Sequence, residues 1–209
     1  MTAILKVDTI QDTSGNNIIN ESSDTITIGA SGDTTNIIGT LQNNGSALNF
    51  ATVNGITMAD VWRLSAGLSS VSVDGFLTSN WEKADDTTAG YIGSSMSESS
   101  GVFTFPSTGM YLVTFYLNGK SVTSSNTRYM NGRIYTTSNN SSYNIVARGM
   151  DSAGGNAQDF CAVASYIVDV TDTANVKVKF SYEFENSGNI YGTTNENQTY
   201  ATFVRLGDT

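Results

Sequence analysis

Residues 101–115 read Gly101-Val102-Phe103-Thr104-Phe105-Pro106-Ser107-Thr108-Gly109-Met110-Tyr111-Leu112-Val113-Thr114-Phe115. Two strands are predicted here, at 102–105 and 110–118, joined by a turn that uses the only proline in the chain, Pro106. Side chains of a strand alternate sides, so Tyr111, Val113, Phe115 and Leu117 share one face of the second strand. Leu112 and Tyr116 make the reverse face apolar as well.

The same pattern extends toward both ends. Strands are expected from Asp60 to Leu64 and at 128–136, 143–148, 160–170, 175–184 and 199–206, with Ser-, Asn- and Gly-rich turns between them. That spacing is typical of a β-sandwich. In 175–184, Val176, Val178, Phe180, Tyr182 and Phe184 face one way, and Lys177, Lys179, Ser181 and Glu183 form an expected wet face. By contrast, Phe160, Ala162, Ala164, Tyr166 and Val168 alternate with Cys161, Val163, Ser165 and Ile167. The last strand sets Tyr200, Thr202, Val204 and Leu206 against Ala201 and Phe203. Three strands are thus apolar on both sides, although a two-layer sandwich covers only one side of each sheet. No amphipathic helix is read that could cover the other side, which leaves association with further copies. Either parity of these strands could face a partner. The interface candidates are therefore Tyr111, Leu112, Val113, Phe115, Tyr116, Phe160, Tyr166, Tyr200 and Phe203.

Composition restricts the function. The 209 residues suit one sandwich plus an extension, and 10 basic against 19 acidic side chains give a net charge of -9. Such a charge disfavours a phosphate-tracking nucleic-acid surface. Histidine is absent, which removes the usual general base and zinc ligand; no nucleophile elbow, phosphate-binding glycine loop or paired-carboxylate spacing is read. The expectation is a non-enzyme without cofactor or metal. Cys161 is the sole cysteine, so no intrachain disulfide is expected. Residues 1–10 lack the pattern of a secretory leader, and no apolar run is long enough to span a membrane, so membrane insertion is not expected.

Residues 1–60 differ from the remainder. Thr, Ser, Asn and Gly supply 29 of the 60, and Phe50 is the only aromatic residue there, so this segment cannot build a large core of its own. SGNNIIN at 14–20 returns as SGDTTNIIG at 31–39, and Asp24 to Gly29 alternates as a short strand should. Short strands joined by tight turns are expected, with the isoleucines buried if three chains wind about one axis. A Thr/Asn-rich linker is the competing reading. The boundary is placed at residue 60.

From about residue 60 onward, 101–115 together with Asn175-Val176-Lys177-Val178 and Tyr200-Ala201-Thr202-Phe203-Val204-Arg205-Leu206 resembles the complement-q and tumour-necrosis-factor superfamily. The resemblance implies an all-β fold with a C-terminal jelly-roll head in residues 61–209. It also implies a compact homotrimer whose inner sheet faces the threefold axis. ILKVDTIQDTSGNNI near the start, and ITMADVWRLSAGL with Asn80-Trp81-Glu82, resemble segments of structural proteins of marine bacteriophages, especially those infecting cyanobacteria. This implies a virion-surface location and an N-terminal shaft or docking segment bound to other virion proteins. A tail fibre or spike contacting a host glycan or receptor is the first reading, a capsid decoration protein the alternative, and a glycan-degrading enzyme a distant third.

Two polar loops carry aromatic residues suited to stacking on a sugar ring. Their candidate glycan or receptor contacts are Asn139, Asn140, Tyr143, Tyr191 and Asn195. Asp85 and Asp86 could offer oxygens to calcium, but a solvated acidic turn is the plainer expectation; Asp151 and Asp159 lack the spacing of a calcium loop.

Overall fold

The computed structural model describes residues 55–122, 128–152 and 157–209 fully. Before residue 55 it describes 9–11, 13, 17–22, 25–28, 32, 34, 42–43 and 46–47, chiefly as backbone. The chain divides into two units, Met1–Val53 and Asn54–Thr209.

In the first unit, β1 (Thr9–Gln11), β2 (Asn17–Ser22) and β3 (Thr25–Ile28) form an antiparallel meander. Ile19 stands opposite both Ile10 and Ile28. β4 (Gln42–Asn43) and β5 (Ser46–Ala47) form a hairpin. The Asn36-Ile37-Ile38 copy of the repeat lies outside the described residues, as do the side chains on which the threefold shaft expectation rests.

The second unit opens with β6 (Ala59–Leu64), inside which the composition boundary at residue 60 falls. β7 (Ala66–Val71), β8 (Asp74–Phe76), β9 (Trp81–Lys83), β10 (Ser97–Ser99) and β11 (Val102–Thr104) follow. Long strands come next: β12 (Gly109–Ser121), β13 (Tyr129–Thr137), β14 (Asn144–Ser152), β15 (Asp159–Val170) and β16 (Lys177–Phe184). β17 (Gly188–Thr193) and β18 (Tyr200–Gly207) close the unit. Among the described residues there is no helix.

The spine of the first sheet is β12. One of its edges pairs with β15 from Gly109↔Val170 to Lys120↔Asp159. Its other edge pairs with β18 and then, beyond Gly119, with β17. The sheet continues through β6 to β9 beside β18, and through β7 beside β17. The second sheet runs β10-β11-β16-β13-β14, with β8 also along β16. Successive strands β11 to β18 cross repeatedly between the layers, the winding of a jelly roll. The three strands read as apolar on both faces, β12, β15 and β18, are neighbours in the first sheet.

Aromatic residues from both layers fill the space between them. Phe115 stacks on Phe180 with centroids 4.7 Å apart, and Phe103 meets Trp81 edge-on at 5.1 Å and Phe203 at 5.3 Å. Such pairs contribute about 0.5–1.5 kcal/mol each beyond the area they bury. Asp60 is also buried here. Its carboxylate accepts from the Trp62 indole N–H and the Met96 backbone N–H, both at 2.9 Å, which compensates for its removal from water.

One strand departs from expectation. The reverse face of β16 is largely covered: Lys177 and Ser181 are buried, and Glu183 is paired with Arg133. Strands β8 and β13 flank β16 on either side, and Arg133 and Asp74 from those strands close over this face.

Candidate functional site

Burial determines which parity of β12 is available to a partner. Tyr111, Val113, Phe115 and Leu117 have no exposed surface, and the Tyr111 hydroxyl donates to the Ser107 carbonyl at 3.0 Å within the same chain. Phe160 and Phe203 are likewise inside the sandwich. As interface candidates Tyr111, Val113, Phe115, Phe160 and Phe203 are therefore corrected: they fill this chain's own core and present nothing to another copy. Tyr166 is 39% exposed but sits at the sandwich edge beside Thr136, Val146 and Val168, off the outer face.

The opposite parity forms a continuous outward surface. Tyr116 stands between Tyr200 and Val163, and Leu112 between Val204 and Ile167. The row between them holds Val61, Thr202, Thr114 and Ser165, with the Ser165 hydroxyl donating to Thr114 Oγ1 at 3.0 Å. Tyr116 and Tyr200 lie face to face, 4.3 Å between centroids and 9° between planes. Burial, followed by Tyr116 alongside, pushes the Tyr200 phenol above its ordinary range, so the face is uncharged here at neutral pH. Val163 and Ile167 are 44% and 49% exposed. Leu112, Tyr116 and Tyr200 are the interface candidates that lie on this face.

At the margin of the face, Arg63 stands opposite Tyr200, and its side chain has no exposed surface. Its guanidinium donates to Glu82 at 2.9 Å, to Asp85 at 2.8 Å and to Asp86. Desolvation opposes its charge, but the Glu82 and Asp86 carboxylates outweigh that and hold its pKa above the usual arginine value. Asp85 and Asp86, 74% and 42% exposed, are accordingly a solvated acidic turn whose carboxylates also serve as ion-pair partners of a buried cation. Among the described residues no cluster of metal-ligating side chains is found.

The two candidate sugar loops lie at opposite ends of the sandwich. Asn139, Asn140 and Tyr143 lie where β13 turns into β14, the end at which β12 begins; the Asn140 N–H donates to the Asn175 carbonyl at 2.9 Å. Asn139 Oδ1 is occupied by its own loop, accepting from the Ser141 and Ser142 N–H groups at 3.1 and 2.9 Å. The Tyr143 ring carries the Lys179 ammonium 4.0 Å from its centroid, and burial pushes its phenol up. Tyr191 is at the far end, on β17 and so within a strand where a loop was expected. Its hydroxyl donates to Asp159 at 2.5 Å, and burial, with that carboxylate adding to it, raises its pKa to about 12. Asn195 is exposed beside it, its N–H donating to Thr193 Oγ1 at 3.3 Å. A cleft of about 420 Å³ at this end is lined by Tyr191, Asp159, Asp151, Asn118 and Glu196. Asp151 is used locally, accepting from the Cys161 and Ser152 N–H groups, each at 2.8 Å. The five candidates therefore cannot form one site.

Sequence reasoning missed a different grouping, Phe76, Tyr135 and Lys179 on the outer face of the second sheet. The ring of Phe76 meets Tyr135 at 4.9 Å, and the Lys179 ammonium lies 5.6 Å from its centroid. The available signal was the alternation of 175–184, which placed Lys179 on the outward side.

No family model matches the chain, and no curated protein matches it in sequence. Solved structures do. Murine APRIL at pH 5.0 aligns with a TM-score of 0.51 and 13% identity, covering 71% of this chain and 99% of that one. The Eiger TNF structure from S. frugiperda aligns with a TM-score of 0.55 and 13% identity, covering 74% and 96%. Together with the strand order, these show the fold: the second unit is a tumour-necrosis-factor-like jelly roll.

Proposed function

We propose that the head assembles as a homotrimer through the outer face of its first sheet. In this reading it is the non-catalytic contact module of a spike or short fibre on a virion surface. The observation that carries the assembly is the uncharged face around stacked Tyr116 and Tyr200, bordered by half-exposed Val163 and Ile167. A face of this kind is stabilised by covering it, at about 1.5–3 kcal/mol per large apolar side chain removed from water. The resemblance to the complement-q and tumour-necrosis-factor superfamily, whose trimers turn the corresponding sheet inward, supports the same surface. The virion setting rests on the likeness of the N-terminal stretch to phage structural proteins, with residues 1–60 docking to other virion proteins and the head contacting a host-surface glycan or receptor.

Sedimentation equilibrium tests the assembly: the expected mass is three times 22.2 kDa, and a monomer at micromolar concentration overturns the proposal. Labelling of particles by electron microscopy tests the setting. Signal at tail tips together with cell binding by the purified protein supports the fibre; signal over the shell, with particle stability lost on removal, supports decoration instead.

A further inference from the structure

The outer face of the second sheet differs from that of the first in charge and ring content. Four of the ten basic residues, Arg133, Arg148, Lys177 and Lys179, belong to its outward parity. The acids on the same parity, Asp74 and Glu183, are both committed to Arg133. Lys177 is buried and donates to Thr104 Oγ1 and the Thr173 carbonyl. Lys179 and Arg148 remain, and among the described residues neither has a carboxylate within ion-pair distance. In a chain of net charge -9, two such cations on one face mark a local reversal of sign. Lys179 is held between aromatic rings, 4.0 Å from the Tyr143 centroid and 5.6 Å from that of Phe76. Phe76 is 43% exposed and set edge-on to Tyr135, so ring surface is open to solvent beside the ammonium.

We infer that Phe76, Tyr135, Tyr143, Lys179 and Arg148 form a site for an anionic glycan, a pyranose bearing a carboxylate or sulfate. A ring face accepts the C–H face of a sugar, the adjacent cations select the anionic group, and neutral sugars lose that second contribution. An acidic peptide fits less well. Lys179 lies on β16, which pairs with β13 on one side and with β11 and β8 on the other, so a peptide cannot add a strand beside it; the edge strand β14, where one could, carries Arg148 but not the rings or Lys179. The inference deepens the host-glycan contact proposed for the head and rests on that reading, but not on the trimer.

The test uses the full chain on sensor surfaces carrying polygalacturonate, dextran sulfate, neutral dextran or poly-glutamate. Binding to one or both anionic polysaccharides, salt-sensitive and exceeding that to dextran and poly-glutamate, is expected; comparing the two separates carboxylate from sulfate. Lys179→Gln with Arg148→Gln should weaken it about tenfold or more, and Phe76→Ser should weaken it at unchanged charge. If Phe76→Ser fails to fold, Phe76→Leu, which removes the ring but retains bulk, carries the same expectation. Equal binding by the charge variant, or by the ring variant, overturns the site. Preference for poly-glutamate overturns the sugar assignment and points to an acidic protein segment. Dextran binding that the variants leave intact overturns this site while preserving the glycan reading, and no binding to any surface overturns both.

Discussion

Phe115 and Tyr116 are adjacent in sequence but face opposite sides of the first sheet, so the same substitution at each should produce different failures. Phe115 is fully buried, stacked on Phe180 and flanked across the sheet by Ala164 and Ala201. Phe115→Glu removes packing worth about 3–5 kcal/mol and adds the cost of a buried carboxylate without a partner, which together approach or exceed the roughly 5–15 kcal/mol stability of a typical domain. Unfolded or aggregated protein is expected. Tyr116→Glu leaves the core intact, because the Tyr116 ring lies on the outer face against Tyr200. Loss of about 1.5–3 kcal/mol at each of three symmetric positions weakens a trimer by about 4.5–9 kcal/mol, which raises its dissociation midpoint on the order of 50- to 2,000-fold, since that midpoint varies as the square root of the dissociation constant. Sedimentation equilibrium across a concentration series, paired with circular dichroism, reads both outcomes. A folded Tyr116→Glu protein whose assembly midpoint does not move would refute assembly through this face. A folded Phe115→Glu protein would refute the assignment of parity.

Further outcomes concern charge and protonation. Arg63→Met should destabilise the head by about 2 kcal/mol, less than the roughly 3–5 expected when a fully buried pair is broken because Asp85 and Asp86 retain solvent, and urea midpoints would show it. Asp172 is held below the usual carboxylate range by the Ala174 N–H and then by the Asn175 amide, and Glu185 by Arg128. Both contribute stability that is present above the ordinary carboxylate pKa of about 4 and lost as pH falls through the lowered values, so urea midpoints should drop on acidification and Asp172→Ala should flatten that drop. Tyr191 has the opposite sense: its stabilising contribution is complete below the ordinary tyrosine pKa of about 10 and disappears as pH rises through about 12. Phenolate absorbance should show late-titrating phenols, Tyr143 and Tyr200 among them, and Tyr191→Phe should remove one of the set.

Long strands were legible because their cores impose alternation over many residues, as in β12 and β16. Among the short strands β6 and β11 were legible too, whereas β7 to β10 and β17 were not. β17 reads Gly188-Asn189-Ile190-Tyr191-Gly192-Thr193, whose glycines and polar residues predict a loop. Those glycines instead mark close packing: a Cβ at Gly192 would lie 2.7 Å from the Ala66 carbonyl oxygen, and one at Gly188 2.3 Å from the Phe184 ring. Composition cannot distinguish a glycine required by a turn from one required by a neighbouring strand. Parity was the second gap. When both faces of a strand are apolar, the pattern says that two things cover it without saying which is the chain itself, and only packing decides that: Phe115 and Ala201 are fully buried, Phe115 on Phe180 of the other sheet, while Tyr116 stacks on Tyr200 outside.

The two outer faces of the sandwich bear on each other through charge. A trimer built on the first sheet brings like-charged copies together, and the chain carries -9. Repulsion is tolerable where the abutting surface is itself uncharged, as the phenols, valines and leucine around Tyr116 are, and where the cation at its margin is already matched, as Arg63 is by Glu82, Asp85 and Asp86. The second sheet, left outward by such an assembly, then displays Lys179 and Arg148 three times around one axis. A polyanionic chain reaching two or three of these sites would be held by effective concentration more tightly than by any one of them. Tyr116→Glu should therefore cost polymer binding while leaving the affinity for a single acidic disaccharide unchanged. Isothermal titration with a disaccharide and a long polymer compares the two. Equal loss for both ligands would show that the second-sheet site depends on the assembly for its structure.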